Sequence, residues 1–209
     1  MEIAIPIYDR FAALDAIGPY EVLSRIGGRV TFVAETPGPV QTDTGMLTVM
    51  AEAAFADLPR PDVLVVPGGL GNRELLEESG LVGWIRSAHE TTIWTTSVCT
   101  GSLLLAAAGV LDGVEATTHW LARDELRELG AVPVEERVVE RGKVITAAGV
   151  SAGIDMALTL VARMSGDDLA QAIQLGIEYD PEPPFEGGSP RKAPDHVVEL
   201  VKAAAAQLA

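Results

Sequence analysis

The stretch Thr95–Gly109, TTSVCTGSLLLAAAG, decides how this chain is read. With the preceding Thr91–Trp94 it offers a β-prone run, TTIWTTSV, then Cys99-Thr100-Gly101, then the helix-forming SLLLAAAG. A buried strand that turns at once into a helix is the unit of a mostly parallel sheet covered by helices. The same stretch holds Cys99, the only cysteine among 209 residues.

The rest of the chain repeats that alternation. EIAIPIY (2–8) reads as a first strand, and AIGPYEVLSRIGG (16–28) as a helix closed by a glycine pair. RVTFVAE (29–35) is a second strand, and PVQTDTGMLTVM (39–50) a small hairpin around Thr-Asp-Thr-Gly. DVLVVPGG (62–69) and TTIWTTSV (91–98) are strands, with a helix over 79–90 between them. Helices are expected over 101–111 and 121–130, and two strands over 132–149 joined at Arg141-Gly142. Residues 150–178 read as helix broken near Ser165-Gly166, and a last helix covers 194–208. The Pro- and Gly-rich segment 178–192 reads as an ordered loop, packed through Tyr179 and Phe185. The fold expected is one α/β domain over 1–209: a three-layer, flavodoxin-like sandwich with a mostly parallel sheet and helices on both faces.

Composition agrees. Hydrophobic residues make up 48% and aromatics only 5%, so the core is built from Ala, Val, Leu and Ile. Thirty acidic and fifteen basic residues give a net charge of −15, which disfavours nucleic acid and anionic membranes as partners. A single cysteine excludes an internal disulfide. With no leader-like start and no long apolar run, a cytoplasmic protein is expected.

In open α/β sheets, sites form beyond the carboxyl ends of the strands. Cys99 stands at such an end, in the strand-turn-helix setting of a nucleophile elbow, though without the G-x-S-x-G form. A helix start favours negative charge and hence thiolate. The competing reading is a buried structural cysteine, a common fate of the residue. Of the three histidines, His89 and His196 fall on expected polar surfaces, leaving His119 in ATTHW as the one available thiol partner. A carboxylate is the other option: Asp15 follows the first strand on the same sheet edge, where a helix N-cap is its ordinary role. Gly68-Gly69-Leu70-Gly71 lacks the lysine and spacing of a phosphate loop, and reads as a tight turn bringing amides to a pocket. No metal-ligand spacing is present, so neither metal nor cofactor is expected.

Six motifs occur in order: LDAIGPYEVL, VLVVPGGLG, TTSVCTGSLLLAAAGVLDG, ATTHW, AAGVSAGIDMAL and QLGIEYDPEPPFEGGSP. Together they resemble the isonitrile hydratase group of the ThiJ/PfpI (class I glutamine amidotransferase-like) superfamily. The resemblance implies Cys99 as nucleophile, Asp15 as the essential acid, and Thr100 as an assisting hydroxyl that holds Asp15. It also implies that the Gly69 and Thr100 N–H groups face the reacting atoms, with Leu70 and His119 beside the substrate. It implies a homodimer that adds water to an isonitrile, giving a formamide through a Cys99 thioimidate. AAGVSAGID departs from the glycine-richer GGGV, and no histidine follows Cys99 directly. A ligand or redox sensor on the same fold, and a glyoxalase- or deglycase-like enzyme, are the alternatives.

Overall fold

A computed structural model describes residues 1–77 and 79–207. The strands are β1 (Glu2–Pro6), β2 (Arg29–Ala34), β3 (Gly38–Gln41), β4 (Thr48–Ala51), β5 (Ala53–Ala54), β6 (Val63–Val66), β7 (Trp94–Val98), β8 (Glu115–Ala116), β9 (Val132–Pro133), β10 (Val138–Arg141) and β11 (Val144–Ala147). The helices are α1 (Ala13–Leu23), α2 (Gly80–Thr91), α3 (Gly101–Ala107), α4 (Arg123–Glu128), α5 (Ala152–Ser165), α6 (Asp167–Gly176) and α7 (Asp195–Ala206).

Seven strands form the central sheet in the order β10-β11-β7-β6-β1-β2-β5. All its pairs are parallel except β10 with β11. The crossover from β1 leads one way to β2, and that from β6 the other way to β7. Right-handed crossovers in opposite directions place their helices on opposite faces. Accordingly α1 packs with α5 and α5 with α6, while α2 packs with α3 and α3 with α4. The reversal falls between β1 and β6, so the loops after β1, β6 and β7 converge at one edge. The central strands β1 and β6 are almost wholly apolar and buried, as two covered faces require.

β7 is the exception, with Thr95, Thr96 and Ser97 all buried. The two threonine hydroxyls are bonded there: Thr96 Oγ1 donates to Leu64 O at 3.0 Å, and the Thr92 and Thr95 hydroxyls lie 2.7 Å apart, whereas Ser97 Oγ is buried with no partner of hydrogen-bond geometry. His89, expected on a polar surface, is half-buried because its Nδ1 lies 2.9 Å from Thr95 Oγ1.

Several boundaries move for physical reasons. Helix α1 begins at Ala13 rather than at 16, which puts Asp15 inside it. The expected 132–149 strand pair loses Val132–Pro133, which pair with β8 in a separate ribbon, and the remaining hairpin turns at Gly142-Lys143 with Gly142 at φ 60°. The loop expected to pack through Phe185 leaves that ring 80% exposed, and α7 buries no residue. The end of the last expected helix, residue 208, lies outside the described residues.

Candidate functional site

Cys99 directly follows β7 at φ 57°, the left-handed region that few residues other than glycine adopt. Its N–H donates to Ala148 O at 2.9 Å and to Ala147 O at 3.1 Å, and its carbonyl accepts from Thr118 Oγ1 at 3.1 Å and Ser102 Oγ at 3.2 Å. The strained backbone is thus over-determined by β11 and two hydroxyls. Close packing completes the turn. A Cβ at Gly101 would stand 2.1 Å from Val66 O, and one at Gly68 would stand 2.5 Å from Thr100 N. The ends of β6 and β7 therefore touch backbone to backbone, and only glycine fits.

Asp15 is fully buried. It does not cap its helix: the residue before α1 is Ala12, and Asp15 Oδ2 instead accepts from Gly68 N–H at 2.9 Å. Its other oxygen, Oδ1, is buried with no partner of hydrogen-bond geometry. The Cys99 thiol nevertheless acts on this carboxyl as a hydrogen-bonding neighbour. Behind Asp15, Pro19 removes the N–H that an unbroken helix would aim at the Asp15 carbonyl.

Burial dominates the electrostatics. It raises the Asp15 carboxyl to about 7, against the lowering effect of the Gly68 N–H and the thiol. Burial, then the charge of Asp15, pushes Cys99 up to about 12, although Val150 N–H, Thr100 N–H and the Thr100 hydroxyl oppose this. The helix start does not make a free thiolate here, contrary to the expectation from strand-turn-helix context. The thiol and carboxyl instead form one coupled pair that holds a single proton between those two steps. Tyr8, buried with its hydroxyl donating to Pro67 O at 2.9 Å, is raised well above its usual value by burial and then by Asp15 and Cys99.

Among the remaining expected contacts, those of the Thr100 hydroxyl and the Gly69 amide differ from the expectation. Thr100 Oγ1 accepts from Gly69 N–H at 3.1 Å, so that amide is spent on Thr100 rather than aimed at the thiol. The group that holds Asp15 is the amide of Gly68, not the Thr100 hydroxyl. Gly69, at φ 142°, lies against the backbone of residues 10–12, and the half-buried Leu70 opens the turn of 70–75 beyond it. His119 accepts from Leu121 N–H through Nδ1 at 3.3 Å, and its ring lies on Gly149, whose added Cβ would meet it at 2.8 Å. Burial and then Arg123 lower its pKa, which favours the neutral ring. Among the described residues no hydrogen bond links His119 to Cys99. His196 is exposed on α7.

Three contributors were invisible in the sequence. Val150 and Gly68 act through main-chain N–H groups, which every residue but proline carries. Asn72, buried, donates Nδ2–H to Thr100 O at 2.8 Å, and nothing about one asparagine in GNREL marks it. A cleft of about 660 Å³ lies at the neighbouring β1–β2 edge, lined by residues including Tyr8, Asp9, Glu35 and Leu81. Neither Cys99 nor Asp15 lines it, so the chemistry and the open volume are separate places. Among the described residues no group of His, Cys, Asp and Glu is arranged for a metal, and no helix is long and apolar enough to cross a membrane.

A strained cysteine at a strand end, beside a buried carboxyl on a doubly wound sheet, defines a class of α/β protein. The chain belongs to the DJ-1/PfpI family, whose model matches residues 1–163. It is 44% identical to the isonitrile hydratase of Pseudomonas putida over 207 residues, covering 99% of this chain and 90% of that one. The HTH-type transcriptional regulator CdhR of Pseudomonas aeruginosa is 32% identical over 180 residues, 84% of this chain but 52% of the regulator. A ThiJ/PfpI family protein from Pseudomonas syringae has a solved structure that superposes with a TM-score of 0.94, at 37% identity, covering 99% of this chain and 86% of that one.

Proposed function

We propose that the protein is an isonitrile hydratase, adding water to R–N≡C to give R–NH–CHO. The observation that carries this reading is the buried pair: Asp15 fixed through one oxygen by Gly68 N–H, its other oxygen free, and Cys99 beside it. The 44% identity to the Pseudomonas putida isonitrile hydratase supports the substrate class.

The chemistry follows from the substrate. Attack on an isonitrile carbon makes that same carbon basic, so a nucleophile and a proton must arrive together. Cys99 Sγ forms the S–C bond while its proton passes through Asp15 to the carbon, giving the thioimidate R–N=CH–S–Cys99. Asp15, again a carboxylate, takes a proton from water as the water oxygen bonds to that carbon. The proton moves on to nitrogen, the C–S bond breaks, and the hydroxyl proton returns to sulfur. The formamide leaves and the singly protonated pair is restored. Thr100 and Val150 N–H groups, both acting on the sulfur, stabilise charge there when the C–S bond forms and breaks.

Incubation with a simple aryl or alkyl isonitrile tests the reading, with formamide detected by mass. Formamide from wild type and none from Cys99→Ala is expected. No formamide from wild type sinks it. The likeness to CdhR favours one rival, a ligand sensor, which would bind without turnover. We take the active form to be a homodimer; the exposed Met46, Leu47 and Met50 on the β3–β4 hairpin supply apolar surface for such a contact. Light scattering giving a monomer mass at working concentration would reject the dimer.

A further inference from the structure

The turn between β11 and α5 carries Val150, and a cluster outside the site grips both of its ends. Arg137 Nε and Nη2 donate to Asp155 Oδ2 at 2.8 and 2.5 Å, and Nη2 lies 3.4 Å from Ser151 Oγ. Tyr179 Oη donates to the same Asp155 oxygen at 3.1 Å. The Arg137 carbonyl accepts from Ala148 N–H at 2.9 Å, and the Ala147 and Ala148 carbonyls accept the N–H of Cys99. Arg137 therefore holds the beginning of the turn through its backbone and the end through its guanidinium. On the near side the His119 ring closes on Gly149.

Tyr179 reaches this place by a strained route. Glu178 sits at φ 49°, one of three non-glycine residues with positive φ among the described residues; the others are Arg10 and Cys99. Paired bonds hold the bend: Tyr179 N–H to Gln174 O at 3.0 Å, and Gln174 Nε2 to Tyr179 O at 3.1 Å. A sparsely populated conformation kept in place by specific bonds points to a use for the residue it presents.

We propose that Arg137, Asp155 and Tyr179 are positioning residues, a clamp that sets the Ala148–Ser151 turn so that Val150 N–H meets the Cys99 sulfur. A hydrogen bond donated to sulfur favours thiolate over thiol, so a loosened turn lowers the thiolate share of the pair. The proposal rests on the hydratase reading only for what the sulfur then attacks.

The test is the rate of Cys99 alkylation by iodoacetamide at one fixed, mildly alkaline pH, followed by intact mass. Tyr179→Phe removes one hydroxyl, Arg137→Gln removes the fork, and Arg137→Lys restores charge and one donor. Arg141→Gln, which breaks a similarly exposed pair with Glu115, is the control. Tyr179→Phe and Arg137→Gln are expected to alkylate roughly three- to tenfold more slowly, as loss of a charge-assisted bond implies. Arg137→Lys should recover part of the rate and Arg141→Gln should match wild type. In turnover of an aryl isonitrile, kcat should fall while KM holds, because the clamp touches no substrate. Alkylation by Tyr179→Phe at or above the wild-type rate overturns the clamp, as does equal slowing in Arg141→Gln. Slower alkylation in a protein that makes no formamide would keep the clamp and reject the hydratase. Formamide production with unchanged alkylation would do the reverse.

Discussion

The edge where β6 and β7 end and the arm formed by residues 178–207 are built by opposite rules. At the edge, backbones touch, hydroxyls and amides are assigned to named partners, and Asp15 is fully buried. In the arm, Phe185 is 80% exposed, Leu200 is 66% exposed, and α7 buries nothing. Yet both are rich in small and apolar residues, and both look packed in the sequence. Apolar content tells which segments can be buried. Steric fit and hydrogen-bond assignment tell which ones are.

That contrast has breaking points. The largest expected effect is on turnover: Cys99→Ala should lower formamide production by at least about a thousandfold, the scale of losing a covalent step. Next is Gly101→Ala, whose Cβ would stand 2.1 Å from Val66 O with backbone on both sides unable to yield. A loss of about 3 kcal/mol or failure to fold is expected on denaturant titration. Normal stability in that variant would mean the edge is not packed as described.

Asp15→Asn separates function from stability. Turnover should vanish, because Asn neither takes nor gives a proton. Stability above neutrality should rise by roughly 1–3 kcal/mol, since a buried, half-satisfied carboxylate is replaced by a neutral isostere that still accepts from Gly68. The pH dependence has a definite sign. The folded carboxyl titrates at about 7 against 3.8 for the solvent-exposed group of the unfolded chain, so the native state binds more protons in between. Wild-type stability should fall as pH rises from about 4 to about 7 and then level off, while the Asn variant lacks this component. The rate of turnover should rise over the upper part of the same window, as the pair loses its first proton. The smallest effect belongs to the arm: Phe185→Ser should change stability by no more than about 0.5 kcal/mol in the monomer. A larger loss would show that the arm is covered in solution.

Much of the edge was legible. A Thr- and Val-rich run, a lone cysteine and a glycine before a helix placed Cys99 at a strand end, and the resemblance paired it with Asp15. The residue that holds Asp15 was not legible, because the Gly68 amide differs from other amides only in where the fold puts it. Thr100 was expected to bond the carboxyl and bonds Gly69 instead, since the two strand ends approach closely enough for Oγ1 to reach across. The thiol's shift was expected downward from local context. Burial and a neighbouring carboxyl, both long-range properties, reverse it.

The left-handed turn at Cys99 also constrains descent. A β-branched residue there would carry the full steric penalty of φ 57°, so Val, Ile and Thr are closed exits. Lineages that abandon the chemistry but keep this scaffold should hold Gly, Asn or Ser at position 99. A retired member of such a lineage would be recognisable by that single letter, with the glycines at 68 and 101 still in place around it.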